Sequence, residues 1–201
     1  MTILPDRVNR ASEAFAANRA AMEAQLARHD AELAVVNSGG GQKYTARHIA
    51  RGKLPVRQRV ELLLDPDTPF LELSPLAAWG SEFPVGGGLI TGIGTIEGTE
   101  CMVSANDPTV RGGTINPLSV RKSLRAMEIC RENRLPLVNL VESGGADLPT
   151  QSDLFIPAGR TFHDITALSA AGIPTVAIVF GNSTAGGAYV PAMSDESVIV
   201  R

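Results

Sequence analysis

Aromatic side chains are scarce in this chain: Phe, Trp and Tyr together make up 4% of its 201 residues. A core must therefore be filled by Ala, Val, Ile and Leu, and with 44% hydrophobic residues there are enough for one substantial core. Cysteine is rarer still. Cys101 and Cys130 fall in a strand-like and a helix-like segment, and read as small buried hydrophobes of a reducing compartment. The three histidines, His29, His48 and His163, are scattered, and neither cysteine has a partner at zinc spacing, so no metal site is expected. No apolar run approaches the length of a membrane span. Residues 1–10 are charged and no apolar run follows them, so no signal peptide is expected. A net charge of −3 carries no global pull towards nucleic acid. These features together predict a soluble, cytoplasmic protein with neither a membrane nor a nucleic-acid partner.

Several catalytic signatures are missing as well. No Gly-Lys-Ser/Thr follows a glycine loop, so this is not a phosphate-binding P-loop. Gly92-Ile-Gly94-Thr-Ile-Glu-Gly98 places its third glycine one residue late for a dinucleotide fingerprint, and it lies in a hairpin pattern. Gly181-Asn-Ser183-Thr-Ala185 resembles a nucleophile elbow but lacks the closing glycine, and no histidine follows it. Ser183 is therefore not read as a nucleophile.

Glycine is plentiful, with 20 residues, and its placement is informative. Leu135–Val141 is an apolar run that ends in Glu142-Ser-Gly144-Gly145-Ala146-Asp147, and Thr175–Phe180 is another that ends in Ser183-Thr-Ala-Gly186-Gly187-Ala188. Strands that end in paired glycines bring bare backbone close to whatever binds there. Two such ends, about 40 residues apart with helical sequence between, suggest neighbouring strands of one parallel layer. Backbone N–H groups gathered there would suit an oxyanion, and the second pair lies where a helix would begin. Tight turns alone would also explain either pair.

The remaining pattern is mixed. Residues 6–35 read as a helix stopped by Ser38-Gly-Gly-Gly41, and 55–64 as a second helix. A short strand at 70–73, a hairpin over 89–97 and 99–106, a helix over 120–134, a strand at 135–141, a loop, a helix over 160–171, a strand at 175–180, a helical start at 186–193 and a strand at 197–201 follow. Strands alternating with helices predict an α/β architecture. Arg47, Arg51, Lys53, Arg57 and Arg59 crowd into one basic stretch. It is either a solvated helix face or an anchor for the phosphates of a nucleotide-bearing substrate. Arg111-Gly112-Gly113-Thr114 is a second small cationic loop after a strand.

These segments together resemble the carboxyltransferase β subunits of biotin-dependent acyl-CoA carboxylases, within the crotonase superfamily. The resemblance runs in order through Ala50–Leu54, Pro69–Leu73, Gly92–Gly94, Ala105–Asp107, Gly112–Thr114, Asn133–Pro136, Glu142–Asp147 and Thr184–Met193. Ala188–Glu196 leans towards the methylcrotonyl-CoA branch, while the loop 148–157 is shorter than is typical there. The resemblance implies a crotonase-like α/β carboxyltransferase N-terminal domain, incomplete here, with residues 1–41 as a helical extension and 42–201 as the partial domain. The implied activity is transfer of a carboxyl group from carboxybiotin to an acyl-CoA, 3-methylcrotonyl-CoA or a related one, through an enolate held by backbone N–H groups. Carboxybiotin would be supplied by a biotin carboxylase and biotin carboxyl carrier α subunit, and the enzyme would be a homo-oligomer, a hexamer in the family. Gly144, Gly145 and Ala146 would form the enolate hole. Gly186, Gly187 and Ala188, with Arg51, Lys53, Arg111, Gly112 and Gly113, would bind substrate. Two rivals share features: a biotin-dependent decarboxylase subunit, and a crotonase-type hydratase or isomerase with Glu142 as its carboxylate.

Overall fold

A computed structural model describes residues 6–200. The elements in chain order are α1 (Glu13–Asn37), α2 (Gln42–Ile49), α3 (Val56–Leu63), β1 (Leu71–Leu73), β2 (Leu89–Ile96), β3 (Thr99–Asn106), α4 (Pro117–Asn133), β4 (Leu137–Ser143), α5 (Gln151–Ala170), β5 (Thr175–Ser183), α6 (Tyr189–Met193) and β6 (Glu196–Ile199). The strands form one six-stranded sheet in sequential order. β1, β2 and β3 pair antiparallel, then β3 to β6 pair parallel through helical crossovers. The expected α/β crotonase-like layering is therefore present, and the strands expected at 135–141 and 175–180 are parallel neighbours.

Strand alternation sorts the core into two layers. Met102 and Leu137 point to the face covered by α4 and α5, where they meet Met127, Cys130, Ile165 and Leu168. Val103, Val138 and Leu140 point to the opposite face, covered by Val56 and Val60 of α3. Both cysteines are free and buried as expected. Burial pushes the Cys130 thiol up to about 12, which leaves it an inert hydrophobe.

Several boundaries differ from the sequence reading. α2 was not anticipated; the Gly41 turn with its φ of 86° reverses the chain and starts a new helix at Gln42. α4 begins at Pro117, because Asn116 accepts from the Leu118 and Ser119 N–H groups while Ser119 Oγ accepts from the Asn116 N–H. α5 starts at Gln151, inside the segment expected as a loop. It continues through Pro157, and Leu154, 3% exposed, supplies the burial that holds the early turns. β4 and β5 each run on, to Ser143 and Ser183, which pair with each other. The strand expected at 197–201 is β6, and its last expected residue, Arg201, lies outside the described residues.

Lys122 of α4 is buried, and its ammonium donates to the carbonyls of Gly86 and Leu89. Burial lowers it from 10.5 to about 8, against a smaller pull from Glu72 and with a push from Arg57. The unfolded chain then binds more protons between about 8 and 10.5, so stability rises with pH across that window and the cost of charging this site is fully present below it. We expect the difference between the urea-unfolding curves of the parent and of Lys122→Met to show this rise; a pH-independent difference would contradict it.

Candidate active site

The site is built where β4 and β5 end. Thr184 donates its N–H to Ser143 O, 3.2 Å, and ties the two strand ends together. Ser143 Oγ donates to Gly113 O and accepts from the Gly145 N–H, so one hydroxyl bridges the loop 111–114 and the first glycine pair. Gly144 N–H donates to Gly112 O at 3.0 Å. The strap after it is pinned by Ile115, which donates to Gly145 O and accepts from the Asp147 N–H, 2.8 Å each. Gly145 has φ of 84°, and a β-carbon there would lie 3.0 Å from Thr184 O. A β-carbon on Gly187 would lie 4.0 Å from Gly145 Cα. The two glycine pairs thus face each other across a backbone contact.

This geometry changes which donors are available. The N–H groups of Gly144 and Gly145 are already bonded, and that of Gly187 donates to Thr184 O. Among the described residues, the N–H groups of Ala146 and Gly186 have no protein acceptor. Ala146 is half-buried and Gly186 exposed. The glycines therefore give room and backbone conformation, while the free donors are one from each loop. Ala188 is half-buried and continues into α6.

Beneath β4, sheet alternation sends Glu142 to the α3 face, away from Ser143. Its carboxylate sits between Lys53 and Arg59. Lys53 donates to Glu142 Oε1 and to Phe180 O. Arg59 Nη1 lies 2.8 Å from Glu142 Oε2 but off the line of its N–H, so that contact is Coulombic and not a hydrogen bond. The Arg59 guanidinium also donates to Leu54 O and His48 Nε2 and stacks 4.5 Å from the Phe180 ring centroid. A β-carbon on Gly181 would come within 2.5 Å of Lys53 Nζ and 2.7 Å of Glu142 Oε1, so a larger residue there would have to displace these side-chain ends.

The basic stretch divides. Arg51 and Arg47 of the α2 region line an open cavity of about 620 Å³ with Tyr44, Arg111 and Gly112. Gly113 lies beside it but is buried under Glu142 O, where a β-carbon would stand 2.3 Å away. Lys53, grouped with Arg51 in the sequence, is not in that cavity: Glu142, many residues away in sequence, claims its charge. The Lys53–Glu142–Arg59 cluster left no sequence signal, because Glu142 is separated from the two cations by the whole of β1 to β3.

Residues 47–201 match the carboxyl transferase domain family. This chain belongs to that family. It is 64% identical to a probable biotin-dependent acyl-coenzyme A carboxylase beta2 subunit of Mycobacterium tuberculosis, over 90% of this chain and 34% of that protein. It is 55% identical to a probable mitochondrial methylcrotonoyl-CoA carboxylase beta chain of Drosophila melanogaster, over 83% of this chain and 30% of the relative. Among solved structures it is similar to the beta subunit of P. aeruginosa geranyl-CoA carboxylase, with a TM-score of 0.91, 44% identity, and coverage of 98% of this chain and 38% of the other. The chain thus spans about a third of the length of the relatives it matches.

Glu142 is 7% exposed, and replacing it leaves two cations without their counter-charge. In the intact protein, Glu142→Gln is expected to cost about 3–5 kcal/mol. Lys53→Met, at a side chain 34% exposed, should cost less. Urea midpoints check both; equal losses would contradict the central place given to Glu142.

Proposed function

We propose that the intact protein containing this chain is the carboxyltransferase component of an acyl-CoA carboxylase. The observation that carries this reading is the pair of unbonded N–H groups, Ala146 and Gly186, on two glycine loops held in contact. A thioester oxygen that receives both would gain most as its charge grows, and this is what lowers the barrier to an enolate. Arg47, Arg51 and Arg111 stand apart at the 620 Å³ cavity and suit the phosphates of CoA. Carboxybiotin, carried by a biotin carboxylase and carrier α subunit, would supply the carboxyl group. The chain's own residues hold the acyl-CoA, fix its carbonyl and concentrate negative charge at one oxygen.

The rivals are weaker. A hydratase needs a carboxylate aimed at the bound acyl group, and Glu142 is instead enclosed by Lys53 and Arg59 on the other face of the sheet. A decarboxylase subunit finds less support: identity to the methylmalonyl-CoA decarboxylase subunit alpha of Veillonella parvula is 32%, against 64% for the carboxylase beta2 subunit. A homo-oligomer is part of the proposal, supported by Leu148, Phe155 and Ile156, which are 71%, 83% and 84% exposed. So is the division into a helical extension, residues 1–41, and a partial domain from 42, supported by the family match beginning at 47 and by α1 burying none of its residues. A cytoplasmic location completes the reading; among the described residues no helix is long and apolar enough to cross a membrane.

The test is fixation of labelled bicarbonate onto acyl-CoA by the intact protein with its biotin-bearing partner. Product that requires both ATP and biotin is expected; acyl-CoA turnover without biotin would contradict the reading. In the same assay, the double change Arg47→Gln and Arg51→Gln should raise the acyl-CoA KM by roughly three- to tenfold, leave kcat nearly unchanged, and lose its effect as salt rises. A KM unmoved at low salt would return these arginines to a solvated face.

A further inference from the structure

The loop that walls the basic cavity is also fastened to the loop that carries the Ala146 donor. Gly112 O accepts from the Gly144 N–H and Gly113 O from Ser143 Oγ, while Ile115 donates to Gly145 O and accepts from the Asp147 N–H. Every residue from 143 to 147 except Ala146 is thus tied to the segment 112–115, and Ala146 lies opposite Ile115 between tied neighbours. Arg111 stands where the cavity meets this zip. Its backbone has φ of 46°, a left-handed conformation that a residue with a β-carbon keeps only where its surroundings hold it. Its side chain lines the cavity, and Nη1 lies 3.9 Å from Oδ1 of Asp147. Of the cavity's three arginines, Arg47, Arg51 and Arg111, it is the one with an acidic partner among the described residues. Asp147 does not line the cavity; it is 8% exposed, and its Oδ2 accepts from Thr150 Oγ1 at 2.8 Å. The carboxylate beside the Ala146 donor is therefore held on one side by Thr150 and on the other by a cation whose side chain is half exposed.

That exposure is what a bound phosphate would change. An exposed ion pair at this distance is weak and screened. A phosphate in the cavity would immobilise the guanidinium and shield the pair from water, and five N–H donors are enough to serve phosphate and carboxylate together. We propose that Arg111 is a positioning residue that couples phosphate occupancy of the basic cavity, through Asp147, to the placement of the Ala146 N–H. The phosphates of CoA then contribute to the rate of the chemical step as well as to affinity. Binding energy gained far from the thioester is used to hold the donor where charge will develop. Arg47 and Arg51, which have no such link, contribute to affinity alone. The inference rests on the acyl-CoA reading above and adds a part for Arg111 in the reaction itself.

The test is the bicarbonate-fixation assay with the intact protein and its biotin-bearing partner. The probes are the CoA and pantetheine thioesters of two acyl groups, 3-methylcrotonyl and propionyl; the pantetheine esters lack every phosphate of CoA. With the parent, kcat for a pantetheine ester should fall about tenfold or more below that for its CoA ester, beyond the expected rise in KM. Arg111→Lys keeps a charge for the phosphate but loses the fork, so it should lower kcat with the CoA ester towards the pantetheine value and move KM little. Asp147→Asn, outside the cavity, should do the same and leave the affinity for free CoA, measured by calorimetry, unchanged. The double variant should be no slower than the slower single one, since both changes break one link. Either variant decides the matter if the other does not fold. Equal kcat for the two thioesters of each acyl group in the parent would overturn the inference and leave the carboxyltransferase reading in place, as would variants that raise KM and leave kcat alone. A parent that fixes no bicarbonate onto either CoA ester, or turns it over without biotin, would overturn that reading and this inference with it.

Discussion

A single buried carboxylate ties together the parts on which the site depends. Glu142 sits at the end of β4, and its two cations come from the chain before α3 and from α3 itself. Lys53 reaches on to Phe180 O of β5, and Arg59 stacks on the Phe180 ring. The cluster therefore links the α3 layer to two parallel strands at the level where both give way to glycine. Buried ion pairs of this kind add little net stability over an apolar equivalent, but they penalise any register in which one charge loses its partner. For this chain, we take that register penalty to be the cluster's purpose: a slip of one residue in β4 would turn Glu142 into the helix-covered core and Ser143 away from the loop 111–114.

Ser143 carries the constraint from the strand to the backbone donors. Its hydroxyl holds the Gly145 N–H and Gly113 O at once, and its carbonyl holds Thr184. Three of the glycine N–H groups near the site are consumed by this scaffolding. The donors left over, at Ala146 and Gly186, belong to residues whose neighbours are fixed on both sides, and a donor that is already in place does not have to reorganise as charge develops. Gly145 contributes its conformation: φ of 84° against Thr184 O is open to no other residue without strain.

Much of this was legible in the sequence. The apolar runs before Glu142 and Ser183 announced parallel strands, and the glycine pairs announced bare backbone at their ends, because both signals are local. What escaped was of two kinds. Asn116-Pro117 and Ser119 form a start signal that sets α4 three residues earlier than its apolar periodicity suggests, and Gln42–Ile49 is a helix whose only fully buried side chain is His48, so periodicity could not reveal it. The second kind is long-range. Lys53 reads as one more member of a basic stretch until the fold brings Glu142 to it, and no spacing rule could say which of the glycine N–H groups the scaffold would use.

The most direct measurement is the infrared frequency of the thioester carbonyl, carbon-13 labelled, when an acyl-CoA binds to the intact protein. Two backbone donors aimed at the oxygen polarise the C=O bond, so the band should move to lower frequency on binding. The shift should shrink when Gly145→Ala displaces the loop that carries Ala146. A carbonyl that absorbs where it does in water, in a complex whose CoA is fully bound, would contradict the account.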